Sequence, residues 1–119
     1  MQDKVITLQE LKDLIEKFNQ ERDWKQFHNP KSVSMAIAAE AAELMEKFLW
    51  CDNKQSYQEV EKNREEIEQE LADIIITALS FANSANIDVA VAVKNKLKIN
   101  GKKYPVEKSK GNFIKWNRL

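Results

Sequence analysis

Four acidic residues recur in two pairs on segments that are otherwise apolar. Glu40 and Glu43 form one pair, and Glu70 and Asp73 form the other, each with a spacing of three. Residues three apart share one face of an α-helix, with about 5–6 Å between their Cβ atoms. Apolar residues occupy the same four offsets around Glu40 and Glu70, so each pair borders the apolar stripe of its helix. If the two stripes pack together, four carboxylates converge at the edge of the contact.

A group of four carboxylates is unfavourable unless a cation lies among them. Like charges at this spacing cost about 0.2–0.5 kcal/mol per pair even when exposed, and desolvated carboxylates cost more or take up protons. A hard divalent cation removes the penalty, and Mg²⁺ is commonly shared between carboxylates and substrate phosphates. Zinc fits poorly, because the chain has one His and one Cys. Acid pairs also occur on solvated helix faces, which is how we interpret residues 61–68.

Aromatic residues flank the segment that carries Glu40. Trp24, Phe27 and His28 precede it, and Trp50 follows it. Two tryptophans and a histidine would form a slot for a flat ring, with His28 offering an in-plane hydrogen bond. The alternative is that these rings cover helix ends, which is what we expect for Phe27.

Two polar residues near the C-terminus border an apolar stripe in the same way as the acids. Lys96 and Asn100 lie one helical turn apart. Most of the lysines that follow are typical of a helix C-terminus, where they complement the helix dipole. Lys96 and Asn100 are therefore candidates to contact an anion.

The apolar periodicity predicts four helices that position these side chains. Their approximate ranges are 8–18, from 32 or 34 to 50, 65–85 and 88–101. The polar stretch 52–66 is a loop, a short helix or the start of the third helix. We therefore expect an all-α fold with a four-helix core.

Residues suited to helix caps mark several of the predicted ends. Thr7 and Glu10 form a capping box at the first helix. Asn86 offers a stop for the third helix, Asp88 an N-cap for the fourth, and Gly101 a left-handed C-terminal cap.

Length and composition favour one soluble domain over residues 1–119, with a tail from about 112. Two Gly and two Pro leave little turn chemistry for an all-β fold. A single cysteine, Cys51, excludes an internal disulfide framework and fits a reducing, cytoplasmic compartment. The longest apolar run, 74–82, is far shorter than the roughly 20 residues that span a bilayer, so we expect no membrane contact.

The zero net charge hides an asymmetry along the chain. Residues 1–93 carry 10 basic and 18 acidic side chains, whereas residues 94–119 carry 9 basic and 1 acidic. An acidic body is unsuited to a nucleic-acid polymer, which favours a broad positive face. The basic segment either covers something anionic or attracts the acidic body of its own or a neighbouring subunit.

These motifs together resemble the MazG-like all-α NTP pyrophosphatase family, and most of all its small dCTP pyrophosphatase branch. The paired acids are accompanied by E-R-D-W-K-Q-F-H-N-P at 21–30, F-L-W at 48–50, and the run Lys96…Asn100…Tyr104-Pro105. The likeness extends from about residue 8 to 111. Larger relatives often carry an extra Glu where this chain has Ala39, so the resemblance does not single out one carboxylate as the catalytic base.

The resemblance implies a fold, an assembly and a reaction. The fold is a four-helix bundle that forms a homodimer or a homotetramer built as a dimer of dimers. The reaction is the Mg²⁺-dependent hydrolysis of a nucleoside triphosphate, with dCTP or a modified dCTP as the expected substrate, to monophosphate and pyrophosphate.

The resemblance also implies a role for each candidate residue. The metal ligands would be Glu40, Glu43, Glu70 and Asp73. The base would be surrounded by Trp24, His28 and Trp50, and the phosphates or sugar would meet Lys96, Asn100 and Tyr104. In the implied mechanism Lys96 stabilises charge on the leaving pyrophosphate, and Glu43 is one candidate to accept a proton from the attacking water.

Three alternatives remain open at this point. The first is a related pyrophosphohydrolase with another base preference, acting on dUTP or phosphoribosyl-ATP. The second is a non-catalytic helical module that binds a nucleotide or a partner. The third is a metal-free helical assembly protein.

Overall fold

A computed structural model describes all residues, 1–119, and contains helices and turns without strands. Contacts within the chain group it into two units, Met1–Asn86 and Ile87–Leu119. Six α-helices follow in order, α1 Leu8–Glu21, α2 Pro30–Glu46, α3 Asn53–Lys62, α4 Arg64–Ala85, α5 Val89–Lys103 and α6 Val106–Ser109. Short 3₁₀ turns cover Gln2–Lys4, Lys25–Phe27 and Trp116–Arg118. The expected all-α class is therefore confirmed.

The first helix begins where the capping box predicts. The Thr7 hydroxyl accepts from the Glu10 backbone N–H at 3.1 Å, and the Glu10 carboxylate accepts from the Thr7 backbone N–H at 2.6 Å. After α1 the chain turns back through Asp23, whose φ is 53°. The Trp24 backbone N–H then donates to the Asn19 backbone carbonyl at 2.9 Å. This tight turn directs the next aromatic residues back along α1.

The second helix starts and ends earlier than the apolar pattern predicts. Asn29 is the N-cap, since its side-chain oxygen accepts from the Ser32 backbone N–H at 2.9 Å. Pro30 occupies the first helical position, where its missing N–H costs nothing. The helix ends at Glu46, and a turn carries the chain to Trp50. The predicted start at 32 or 34 overlooked the Asn-Pro start signal.

The polar stretch 52–66 resolves into a separate short helix and the beginning of the long one. Asp52 and Gln55 form a second capping box that starts α3. The helix α4 begins at Arg64 and ends at Ala85, and the capping residue Asn86 adopts the left-handed conformation with φ 54° and ψ 50°. The predicted stop at Asn86 is therefore confirmed.

In the second unit, α5 starts at the predicted N-cap but continues past the predicted end. The Asp88 side chain accepts from the Val91 backbone N–H at 2.9 Å. Gly101 lies inside the helix, which continues to Lys103 and ends at Tyr104. The prediction that Gly101 ends the helix is wrong, because the following lysines have good helix propensity and Pro105 supplies the stop. The Lys103 ammonium lies 4.9 Å from the centre of the Trp116 ring.

The core of the first unit forms around α4, which packs against α1, α2 and α3. Only four apolar residues are buried, namely Val33, Ile67, Leu79 and Ala82. The apolar face of α1 is covered only in part, since Leu14 remains 61% exposed.

No single helix is long and apolar enough to cross a membrane, although α4 and α5 taken together reach that length and composition.

The left-handed conformation at Asn86 gives a test of the boundary after α4. Replacing Asn86 by Val should lower the free energy of unfolding by about 1–2 kcal/mol, because a β-branched residue is strained at positive φ. Asn86→Gly should be tolerated. Denaturant unfolding followed by circular dichroism measures both, with Asn95→Val on exposed α5 as the control. An unchanged midpoint for Asn86→Val would contradict the left-handed assignment.

Candidate metal centre and adjoining cavity

The structure brings the four predicted acids together. Glu40 and Glu43 come from α2, and Glu70 and Asp73 come from α4. One carboxylate oxygen from each residue lies within 4.8 Å of the corresponding oxygens of the other three. The convergence follows from the packing of α2 on α4, which joins the two apolar stripes that the acids border.

The inner two carboxylates lack the partners that buried charges require. The Oε2 atoms of Glu40 and Glu70 are buried without a hydrogen-bond partner. Desolvation raises the pKa of Glu70 above its ordinary value, and a hydrogen bond with Glu43 and the charges of Glu43 and Asp73 raise it further. The Lys47 ammonium opposes this increase in the pKa. Unpaired buried carboxylate oxygens are costly, and a cation among the four acids could remove this cost.

The donor set suits a hard divalent ion. All four side chains offer oxygen, with two half-buried and two exposed carboxylates, and neither His28 nor Cys51 belongs to the group. Oxygen-only ligands are what Mg²⁺ prefers, and it also retains water or substrate oxygens in part of its octahedral shell. The residues present therefore fit the expected metal.

A cavity of about 370 Å³ adjoins the acidic group. Asp73 contributes to its wall, so the cavity and the acidic group share a residue. The other lining residues come from α1, from the segment between α1 and α2, from α2 and from α4: Phe18, Asn19, Trp24, Phe27, His28, Ser32, Val33, Ala36, Ile76, Thr77 and Ser80.

The aromatic side of this cavity is held by edge-to-face contacts. The Trp24 ring lies 5.7 Å from Phe18 at 70° and 6.5 Å from His28 at 65°, measured between ring centroids. The His28 backbone is fixed to α4, because the Ser84 hydroxyl donates to its carbonyl at 2.9 Å. Trp24 and His28 thus line one cavity, and Phe27 lines the same cavity although we expected it only to cover a helix end.

The other predicted site residues do not line this cavity. Trp50 lies in the turn after α2 and is 96% exposed. Lys96 and Asn100 lie on α5 in the second unit, and Tyr104 caps that helix. Their assignment to the base, the phosphates or the sugar remains a prediction.

Sequence reasoning missed the polar residues of the cavity. Asn19 and Ser80 are both 6% exposed, and the Asn19 side-chain amide donates to the Ser80 hydroxyl at 3.2 Å. A signal was present, because Asn19 follows Ile15 by four residues on the apolar face of α1 and Ser80 interrupts the longest apolar run. A polar residue within an apolar stripe indicates a buried hydrogen bond. Lys47, beside the acids, was also missed.

Comparison with known proteins assigns the chain to a family. A sequence model of the MazG-like family matches residues 35–119. The mouse protein dCTP pyrophosphatase 1 is 33% identical over 115 residues, which is 95% of this chain and 68% of the mouse protein. The human protein of the same name is 31% identical over 115 residues, with the same two shares.

A solved structure gives the same result at the level of the fold. The crystal structure of a pyrophosphatase from Archaeoglobus fulgidus superimposes with a TM-score of 0.79 at 35% identity, covering 82% of this chain and 92% of that one. The chain belongs to the MazG-like family. Within that family it is a hydrolase of the pyrophosphatase type.

Replacing the Glu70 carboxylate by a neutral amide should stabilise the metal-free protein while weakening its response to metal. Glu70→Gln should raise the melting temperature of the metal-free protein at neutral pH, because the raised pKa means that ionised Glu70 opposes folding. The gain should vanish as the pH falls through that raised pKa towards 4.5, where the wild-type carboxyl is protonated as well.

The same variant should lose the response to metal. Mg²⁺ should raise the melting temperature of the wild type and have a smaller effect on Glu70→Gln, since an ion that binds the folded state stabilises it. Differential scanning fluorimetry measures both effects, with Glu65→Gln on the exposed side of α4 as the control. Equal responses of the wild type and Glu70→Gln to Mg²⁺ would contradict the metal site.

Proposed function

We propose that this protein is a Mg²⁺-dependent nucleoside triphosphate pyrophosphohydrolase that converts dCTP, or a modified dCTP, to the monophosphate and pyrophosphate. The observation that carries the proposal is the shared wall: Asp73 belongs both to the acidic group and to the aromatic cavity. A nucleotide needs a place for a flat base beside a place for metal-bound phosphates. The names of the relatives support the reaction and the substrate class.

Different residues would bind the two ends of the nucleotide, the base and the phosphates. Trp24 and His28 would hold the base, with Trp24 presenting an apolar ring and His28 a hydrogen-bonding edge. The four acids would hold Mg²⁺, which supplies charge neutralisation at the phosphates and acidifies water. Glu43 is exposed at the edge of the acidic group, so it is the carboxylate that we propose to accept a proton from the attacking water.

The cavity volume of about 370 Å³ lies within the range for ligand cavities, so the cavity has room for a nucleobase. Lys96, Asn100 and Tyr104 complete the proposal as ligands of the phosphates or sugar, with Lys96 stabilising charge on the leaving pyrophosphate. Free Cys51 is consistent with the reducing, cytoplasmic location that we propose.

The proposal includes a homodimer or a homotetramer. An apolar groove runs along α2, the turn after it and α4, and its lining residues are Ala41, Leu44, Met45, Phe48, Leu49 and Ile74. Two of these side chains, Met45 and Leu49, are more than half exposed. Contiguous exposed apolar surface of this kind marks an interaction site. Trp50 follows this groove directly, so a second subunit would cover it and give it a role at a site between subunits.

The reaction is tested by assaying the common nucleoside triphosphates and modified dCTPs with Mg²⁺ for monophosphate and pyrophosphate. We expect dCTP or a modified dCTP to have the highest kcat/KM. Release of orthophosphate instead, or of no product at all, would contradict a pyrophosphohydrolase, and a preference for dUTP would correct the substrate.

The acidic group should be essential for turnover and dispensable for folding. Glu43→Ala or Asp73→Ala should lower kcat/KM by more than ~100-fold, because even groups that only support metal ligands are worth 10–100-fold. Circular dichroism should show unchanged helix content, and Glu65→Gln should retain activity. Loss of helix in both variants would mean that these acids are structural.

The assembly is tested by measuring the molar mass of the protein with light scattering as it elutes from a size-exclusion column. The wild type should have a mass of two or four times 13.9 kDa. Met45→Glu places a charge in the apolar groove and should shift the protein towards a single chain, whereas Glu46→Gln next to it should not. A wild-type mass of one chain at micromolar concentration would overturn the assembly.

A further inference from the structure

The structure assigns a specificity-determining role to Asn19, with Ser80 as the residue that positions it: the pair selects a base with an exocyclic amino group over one with a keto oxygen at that position. This inference rests on the proposed function, because it takes the cavity to be the base site. Neither Asn19 nor Ser80 is among the site residues predicted from the sequence.

The pair is the most buried polar feature of the chain. Asn19 on α1 and Ser80 on α4 are each 6% exposed and are its buried polar residues. Both line the cavity beside Trp24 and His28. A buried amide is costly unless its hydrogen bonds are satisfied, so a cavity that holds one is prepared for a polar ligand edge.

The orientation of the amide determines what it can recognise. Asn19 Nδ2 donates to Ser80 Oγ at 3.2 Å. A carboxamide has two N–H donors and one carbonyl acceptor, so this bond leaves the carbonyl and one N–H for a ligand. A carbonyl acceptor pairs with an amino group, and the adjacent N–H pairs with a ring nitrogen. The 4-amino group and N3 of cytosine present this pattern, whereas uracil presents a keto oxygen and N3–H.

Helix packing alone does not explain the pair, because a second polar link already joins the same helices. The Asn83 side-chain amide on α4 donates to the Lys12 carbonyl on α1 at 3.0 Å, and Asn83 is half-buried. Asn83 does not line the cavity. It therefore provides a matched control, an asparagine that links α1 to α4 without facing the ligand.

The test measures binding of α,β-methylene analogues of dCTP and dUTP with Mg²⁺ by calorimetry, since these analogues have no cleavable α–β bridge. The wild type should bind the dCTP analogue more tightly than the dUTP analogue. Asn19→Ala should reduce this ratio roughly tenfold or more, the range expected for a lost hydrogen bond in a buried site. Asn83→Ala should lower the melting temperature and leave the ratio unchanged.

Ser80→Ala keeps the inference falsifiable if Asn19→Ala does not fold. Releasing the amide from Ser80 should also reduce the ratio, since a freely rotating amide offers its N–H₂ to a keto base. Wild-type discrimination that survives both Asn19→Ala and Ser80→Ala, or a wild type without discrimination, would overturn the inference. If the ratio behaves as expected while no triphosphate is hydrolysed, the proposed function fails and the assignment of Asn19 holds.

Discussion

The rest of the structure depends on the packing of α2 against α4, which forces together four carboxylates that repel one another. Oxygens from Glu40, Glu43, Glu70 and Asp73 lie within 4.8 Å of one another, and two buried oxygens have no hydrogen-bond partner. Without a cation this group works against the packing of the two helices, since desolvation and then the neighbouring acids raise the pKa of Glu70. The apolar stripes beside the acids must overcome the repulsion, so folding and metal binding act on the same helix contact.

The single chain leaves much of its apolar surface exposed. A chain of this length can bury roughly two-thirds of its unfolded surface, yet only four apolar residues are buried here. The stripes that hold the acids together therefore remain partly open on the side of Met45 and Leu49. Covering this groove in an assembly would add the apolar burial that the single chain lacks, and it would strengthen the helix contact that carries the acids.

Sequence reasoning reached the features that depend on local rules. The capping box at Thr7 and the helix stop at Asn86 are set by nearby residues, and both were predicted. The convergence of the four acids was also accessible, because the offsets around Glu40 and Glu70 match. By contrast, the prediction that Gly101 ends its helix was wrong, because one glycine does not outweigh the helix formers after it.

The parts that sequence did not reveal depend on contacts between distant residues. Asn19 and Ser80 are 61 positions apart, and each looks like an isolated polar interruption of an apolar stripe. Only the packing of α1 on α4 shows that these two side chains form a hydrogen bond with each other. The turn at Asp23, which directs Trp24 towards Phe18, was equally hidden, since a non-glycine residue at positive φ leaves no strong sequence signal.

One helix connects the two ends of the site. Glu70, Asp73, Thr77 and Ser80 follow one another at spacings of three, four and three, so they lie along a single face of α4. With a rise of 1.5 Å per residue, about 10 Å separates Asp73 from Ser80 along the helix axis. The Thr77 hydroxyl donates to the backbone carbonyls of Asp73 and Ile74, so it presents mainly its methyl group between the two polar ends. A rigid helix therefore fixes the distance from the acidic group to the Asn19–Ser80 pair in the cavity. Because this distance cannot adjust, a ligand engages both ends only if its own phosphate-to-base length matches it, and the length of the ligand becomes part of its recognition.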